Sequence, residues 1–373
     1  MMVKLKAFFH ERINKLREEI LIPGKAKGLL ISRSDNFSWL TFGARNHITL
    51  NTVEGVASLL ITEDSVILLT DNIEKERLKS EEFYSDIWDE LEIIEYNWWE
   101  GEEKLLSQLS IASAKELISD TGRYDTLNLN SRIAPFRYTL VEPEIETYRQ
   151  LGKDCDEIFW ELMPKLSPEN TELEVQGMFY EALAKKGIEP LLTIVFGEDS
   201  STRYRHNLSR NISIGKRVFV SICARKHGLV VSSTRSALFD VNAEITEQHR
   251  KNCYVDAVAI VNSLPGKRLS QIFLEIKRAY EAAGYDGEWK LHHQGGLAGY
   301  NPRELVASDF VDHILAKGNA VAWNPTITGT KSEDTVIVGE VPEIISFPQN
   351  SHWPAVELRV NDLTIRRPDI IVL

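Results

Sequence analysis

Sulfur is scarce: the 373 residues include three cysteines and four methionines. Cys155, Cys223 and Cys253 are odd in number and stand at no metal-ligand spacing. That excludes a disulfide framework or a zinc knuckle and points to three reduced thiols in a cytosolic protein. Long apolar runs are absent as well, and none approaches the roughly 18 residues of a membrane span. The run at Ala7-Phe8-Phe9 is too short for a secretory signal. Positive charge is in deficit, with 43 Lys and Arg against 55 Asp and Glu, a net charge of −12. A nucleic-acid binder normally shows a basic face and a membrane-surface protein a polybasic segment, so neither partner is expected. Internal repeats and low-complexity tracts are missing too, which argues against solenoids and disordered tails.

What remains is an ordinary globular mixture, long enough for two domains and a large core. The first part mixes helix and strand signals. Lys4 to Ile20 carries Leu5, Phe8, Phe9, Ile13, Leu16 and Ile20 at helical spacing. Gly28–Ile31, Ala57–Ile61 and Val66–Thr70 are short apolar runs bounded by polar residues and read as strands. They define a small α/β domain over residues 1–135. Asn128 to Pro143, bracketed by Pro135 and Pro143, reads as the linker. Beyond it, over 136–373, the helices lengthen. Ile145, Tyr148, Leu151, Cys155, Phe159 and Leu162 mark one helical face, and Thr171-Glu172-Leu173-Glu174 is a capping box opening a helix that Gly187 ends. Ile245–Val261 and Leu269–Ala283 read as two more helices, and Leu191–Phe196, Arg217–Cys223 and Ala320–Trp323 as strands. Short connections make these strands antiparallel, in an α+β domain.

Several stretches, in order, resemble the creatinase, prolidase and Xaa-Pro aminopeptidase family, the M24 metallopeptidases. Asn36-Phe37-Ser38-Trp39-Leu40-Thr41-Phe42-Gly43 is similar to a segment of that family's N-terminal domain. In the second domain the matches are the lead-in to His206; Val218–Cys223 with Gly228–Arg235; His292–Glu304; Gly318–Pro325; and Lys331–Val338. The resemblance covers essentially the whole chain. It implies a pita-bread α+β domain preceded by a smaller α/β creatinase-type domain, and a homodimer. The family holds two divalent ions with two Asp, one His and two Glu. At those positions this chain has Ser221, Ser232, Gly296, Asn324 and Glu333, so one ligand of five is retained. The substrate-side histidine that would stand at position 303 is Arg303.

These substitutions change the expected chemistry. Serine and asparagine are weak neutral ligands and glycine offers none, so two dications would lack both coordination and counter-charge. No metal and no cofactor is therefore expected. Asp334 does not stand in for a missing ligand, because neighbouring strand residues point to opposite faces. One reading is a metal-independent hydrolase of a C–N bond in a small amino-acid-like or peptide substrate. There His206 is the general acid or base, Glu333 or Glu304 the orienting carboxylate, and His292 a further site residue. The alternative is a non-catalytic pseudoenzyme or binding module. A metal-dependent Xaa-Pro aminopeptidase or dipeptidase comes third, since Thr234-Arg235, Gly299, Pro325 and Asp334-Thr335 pin the register of the lost ligands. Ser232 and Ser233 sit in no Gly-x-Ser-x-Gly elbow. Arg235, Arg303 and Lys331 lie in the matched stretches. Either they border one open cleft and select an anionic or zwitterionic ligand, or they are all paired internally, with Glu333, Glu304 and Asp334 among the counter-charges, and the cleft is closed.

Overall fold

The computed structural model describes residues 2–109 and 116–373. The chain divides into two compact units, Met1–Arg137 with His227–Leu229, and Tyr138–Lys226 with Val230–Leu373. The division falls inside the expected linker, but that segment is not open chain. Asn130–Ile133 and Ala134–Arg137 form successive helical turns.

In the first unit a helix over Met2–Leu16 buries Leu5, Phe9, Ile13 and Leu16, the face its periodicity marks. Six strands follow: β1 (Gly28–Arg33), β2 (Glu54–Ile61), β3 (Val66–Asp71), β4 (Glu92–Tyr96), β5 (Leu117–Ser119) and β6 (Leu127–Asn128). They form one mixed sheet in the order β4-β3-β2-β1-β5-β6. Leu30, Leu60, Ile67, Leu69, Leu106 and Leu117 make a core cluster on it. Asn36, first residue of the family-like segment, lies on the buried helix Ser34–Thr41 and donates to Asp120 at 2.9 Å. Asp120 also accepts from the backbone of Ser32 and Arg33. Burial pushes its carboxyl up to about 6 in spite of those hydrogen bonds.

The second unit opens with a helix over Glu142–Leu162, which buries Ile145, Tyr148, Leu151, Cys155 and Phe159. The next helix, Glu172–Lys185, has the expected capping box: the Glu174 amide donates to Thr171 Oγ1, and Thr171 N–H donates to the Glu174 carboxylate. Gly187, at φ 66°, follows its end. Strands β7 (Glu189–Phe196), β8 (Arg217–Lys226) and β9 (Leu229–Leu238) come next, β8 and β9 meeting at the turn His227-Gly228. Both turn residues have positive φ, as a two-residue hairpin turn of this hand requires. Helices Ala243–Val261 and Leu269–Ala282 lead to β10 (Gly295–Ala298), β11 (Leu305–Val306), β12 (Ala320–Trp323), β13 (Thr326–Ile327), β14 (Thr330–Lys331), β15 (Asp334–Ile337) and β16 (Glu343–Ile344). The chain ends with β17 (Ala355–Val360), β18 (Leu363–Pro368) and β19 (Ile371–Val372).

Two sheets dominate this unit, ordered β19-β9-β8-β7 and β11-β10-β12-β15-β16. All pairings in the second are antiparallel, as the short connections require. In the first, β19 runs parallel to β9, a departure from the expected antiparallel pattern. The chain travels far between those two strands, and a long return permits a parallel approach that a hairpin forbids. The sheets are tied where β9 meets β15. Thr234 N–H donates to Glu333 O at 3.0 Å, and Ser232 N–H donates to Thr335 Oγ1 at 2.8 Å.

A buried ionic cluster anchors the same seam. Asp334 accepts from Arg235 at 3.0 Å, from Arg367 at 2.7 Å and from Ser346 at 2.6 Å. Arg367 also pairs with Asp256, and Asp156 stands 3.6 Å from Arg235. All four main partners have no more than traces of exposed surface. Removing one member of a buried pair costs about 3–5 kcal/mol, because the partner charge is left uncompensated. Asp334→Ala is therefore expected to lower unfolding free energy by about that amount in a urea titration. A loss below ~1 kcal/mol would show that the cluster is dispensable to the seam.

Candidate functional site

The alternation of side chains along β8, β9 and β15 decides what meets what. Ser221 on β8 and Ser232 and Thr234 on β9 face Glu333, which immediately precedes β15. Glu333 is buried, and three groups hold its carboxylate. Lys331 Nζ lies 2.8 Å from one oxygen, Thr234 Oγ1 donates to that same oxygen at 2.8 Å, and Arg303 donates to the other at 3.0 Å. Each cation also donates to one serine: Lys331 to Ser221 at 3.1 Å and Arg303 to Ser232 at 3.0 Å. Ser221 and Thr234 hydroxyls are 2.7 Å apart, and Cys223 Sγ is 3.4 Å from Ser232 Oγ. Burial pushes the Glu333 carboxyl up, but Lys331 and Arg303, with hydrogen bonds from Lys331 and Thr234, outweigh it and hold it down at about 2.

Asn324 and Gly296 belong to the same face. β12 pairs with β15 so that Trp323 stands opposite Asp334. Continuing that register sets Asn324 opposite Glu333, and directly opposed residues share a face. The buried Asn324 Oδ1 has no hydrogen-bond partner among the described residues. Gly296 pairs with Ala322 of β12 and with Val306 of β11. Its φ is +151°, and a Cβ there would meet Leu305 O at 2.1 Å and Ala307 N at 2.8 Å. Glycine is the residue this backbone admits.

His206 follows the helix Glu198–Arg203, and its neighbours fix the segment. Arg205 is held by Glu288 at 2.5 Å and Thr328 at 2.6 Å, and Asn207 donates to Glu172 at 3.0 Å. His206 Nε2 is 3.1 Å from His292 Nε2, and the His292 and His293 rings stack at 4.5 Å. Burial, reinforced by Lys331, lowers all three imidazoles, His292 to about 2; His293 is brought to about 4 by burial, Arg303 and Lys331. All three are neutral near pH 7. Among the described residues they also form the group of three whose ring nitrogens, all within 4.8 Å of one another, could hold a metal ion.

The structure thus brings Ser221, Ser232, Glu333, Arg303 and Lys331 into direct contact and sets Asn324 and Gly296 on the same face. Arg235 is placed elsewhere. Alternation turns it away from Ser232 and Thr234, and its guanidinium lies among Asp334, the Ser346 carbonyl and the rings of Phe159 and Phe347. The expected cleft cation is instead a structural ion-pair partner. The group that orients His206 also differs from expectation: it is His292, not the carboxylate of Glu333 or Glu304. Glu304 lies in the loop before β11, where Asn301 donates to it at 3.2 Å. Two residues were missed. Thr234 was legible only as a position two beyond Ser232, hence on the same strand face, and His293 only as half of a His-His doublet.

A pita-bread domain with these family-like stretches in order defines the class. Residues 146–340, more than half of the chain, match the model of metallopeptidase family M24, and the chain belongs to that family. No curated protein sequence matches it. Among solved structures it is similar to the prolidase of Pyrococcus horikoshii OT3, at 18% identity and TM-score 0.76 over 91% of this chain and 99% of that one. It is also similar to the Xaa-Pro dipeptidase of Bacillus anthracis, at 17% identity and TM-score 0.74 over 98% and 100%. The N-terminal domain of FACT complex subunit SPT16 from Cicer arietinum matches at 12% identity and TM-score 0.67, over 92% and 95%. Among the described residues no helix is long and apolar enough to cross a membrane.

The lowered His292 has a measurable consequence. Its folded pKa, about 2, lies below the roughly 6.5 of an unfolded histidine. The unfolded chain then binds the extra proton as pH falls below about 6.5, so this histidine's contribution to stability is full above that pH and declines below it. In ¹⁵N spectra of the imidazoles, His292 is expected to stay neutral from pH 8 to pH 5; a midpoint near its unfolded value would contradict the placement.

Proposed function

We propose that this M24 protein works without the dinuclear metal centre of its family and binds a small amino-acid-like or peptide ligand through the ligand's carboxylate. The observation that carries the reading is the state of Glu333. Both of its oxygens are engaged by Lys331, Arg303 and Thr234, so the one carboxylate left at the five former ligand positions is already neutralised by two fixed cations. Ser221 and Ser232 accept hydrogen bonds from those cations, and the Gly296 backbone leaves no room for a ligating side chain. The donor set does not fit a pair of divalent ions, which need several carboxylates for charge and coordination.

Two positive groups against one carboxylate, with neutral histidines beside them, leave a net positive pocket. Arg303 Nε has no partner among the described residues, and Lys331 has a third N–H beyond those given to Glu333 and Ser221. These are the donors for a ligand carboxylate, and Asn324 Oδ1 is an acceptor for a ligand N–H. The likeness to both named peptidases and a named complex subunit leaves the choice between catalysis and binding to the site. One observation favours catalysis as a second reading: the His206–His292 pair at 3.1 Å. There, neutral His206 would take a proton from the water adding to carbon and return it to the departing nitrogen of a C–N bond.

A thermal-shift screen of dipeptides, guanidino acids and amino-acid derivatives, run with chelator present, tests the binding. Anionic or zwitterionic compounds are expected to raise the melting temperature, and Arg303→Ala to weaken the best of them at least ~10-fold, the loss of about 1.5 kcal/mol from a charged hydrogen bond. Binding restricted to neutral or cationic compounds would refute the proposal, and product seen by mass spectrometry would select its catalytic form. Gly296→His restores the family's residue type but is expected to destabilise the fold by about 2 kcal/mol or more, through overpacking against Leu305 O. It is not expected to create a two-metal site, which metal analysis of the purified variant checks.

A further inference from the structure

None of the three histidines is among the five former ligand positions, and the group has its own geometry. His206 Nε2 and His292 Nε2 are 3.1 Å apart. Two imidazole nitrogens bound at about 2.0–2.1 Å to one tetrahedral ion lie about 3.3 Å apart. The third histidine offers a ring nitrogen within 4.8 Å of the other two, and it is exposed, so a side-chain rotation brings it in. His206 is exposed as well, which gives an ion a path from solvent, whereas His292 is buried.

The backbone around the group is already fixed. Gln294 donates to His292 O at 2.6 Å and to Trp289 O at 3.1 Å, and Arg205 and Asn207 anchor the segment that carries His206. The buried His292 Nδ1 has no hydrogen-bond partner among the described residues. An all-imidazole donor set is neutral and borderline in softness. It suits Zn²⁺ and not the oxygen-seeking Mg²⁺, Ca²⁺ or Mn²⁺.

We propose that His206, His292 and His293 form a mononuclear site for Zn²⁺, with the fourth position open. Three neutral ligands leave the ion's double positive charge uncompensated, and Lys331 and Arg303 lie close enough to act on the same imidazoles. The fourth ligand is accordingly an anion, such as chloride, hydroxide or a carboxylate. The site is independent of the proposed carboxylate binding, which is measured with chelator present, and each can fail without the other.

The test uses the full chain, stripped with chelator and titrated calorimetrically with ZnCl₂, with Co²⁺ absorption reporting tetrahedral geometry. One Zn²⁺ per chain is expected. His293→Ala and His206→Ala, both at exposed positions, should each weaken binding at least as much as the ten- to hundredfold that loss of an outer-sphere partner costs. Their melting temperatures without metal should match the parent chain, which separates loss of a ligand from loss of the fold. His352→Ala, at an exposed histidine elsewhere, should leave binding intact. The proposal is overturned if stripped protein takes up no Zn²⁺. It is equally overturned if His293→Ala binds as the parent does, or if binding disappears in Glu333→Gln while surviving in both histidine variants, since the ion would then sit among the former carboxylate positions.

Discussion

A carboxylate buried between two sheets must be neutralised, and the second unit is arranged around how that is done for Glu333. An isolated buried charge is too costly to keep. Lys331 arrives from two residues upstream, Arg303 from the loop before β11, and Thr234 from the facing sheet. The same three contacts tie β9 to the start of β15 and draw Ser221 and Ser232 into the network. Because every polar group in this knot depends on the others, the pocket is defined by satisfied internal pairs with a few spare donors and acceptors left over.

One residue further along, Asp334 points the other way and meets a second ionic cluster with Arg235, Arg367 and Asp256. Two adjacent acidic residues thus serve two separate networks, one on each face of the strand. The placement of Arg235 follows from this. Its place in a family-like stretch suggested a shared cleft, yet one step along the strand from Thr234 reverses the face, and Asp334 claims the guanidinium.

The neutral histidines mark a third environment. Burial and the neighbouring cations both resist protonation there, so the imidazoles keep their lone pairs. Lys331 and Arg303, both paired with Glu333, disfavour a further positive charge on the imidazoles beside them. Around Glu333 the fixed charges are those of side chains, two cations against one carboxylate.

Much of this was legible in the amino-acid order. The helix face from Ile145 to Phe159, the Thr171–Glu174 capping box and the strand Ala320–Trp323 are local patterns, set by side-chain period and end chemistry, and they stand where those patterns put them. The ordered family-like stretches pointed to the family and its fold, which the family model over residues 146–340 bears out. What the order could not fix was which groups meet across the sheets. Thr234 against Glu333, His292 rather than a carboxylate against His206, and Arg235 against Asp334 are contacts between residues about 86 to 100 positions apart. The parallel return of β19 onto β9 is likewise non-local. Local sequence determines period, caps and chemical type; pairing over such separations is decided by register and sheet stacking, which exist only once the chain has folded.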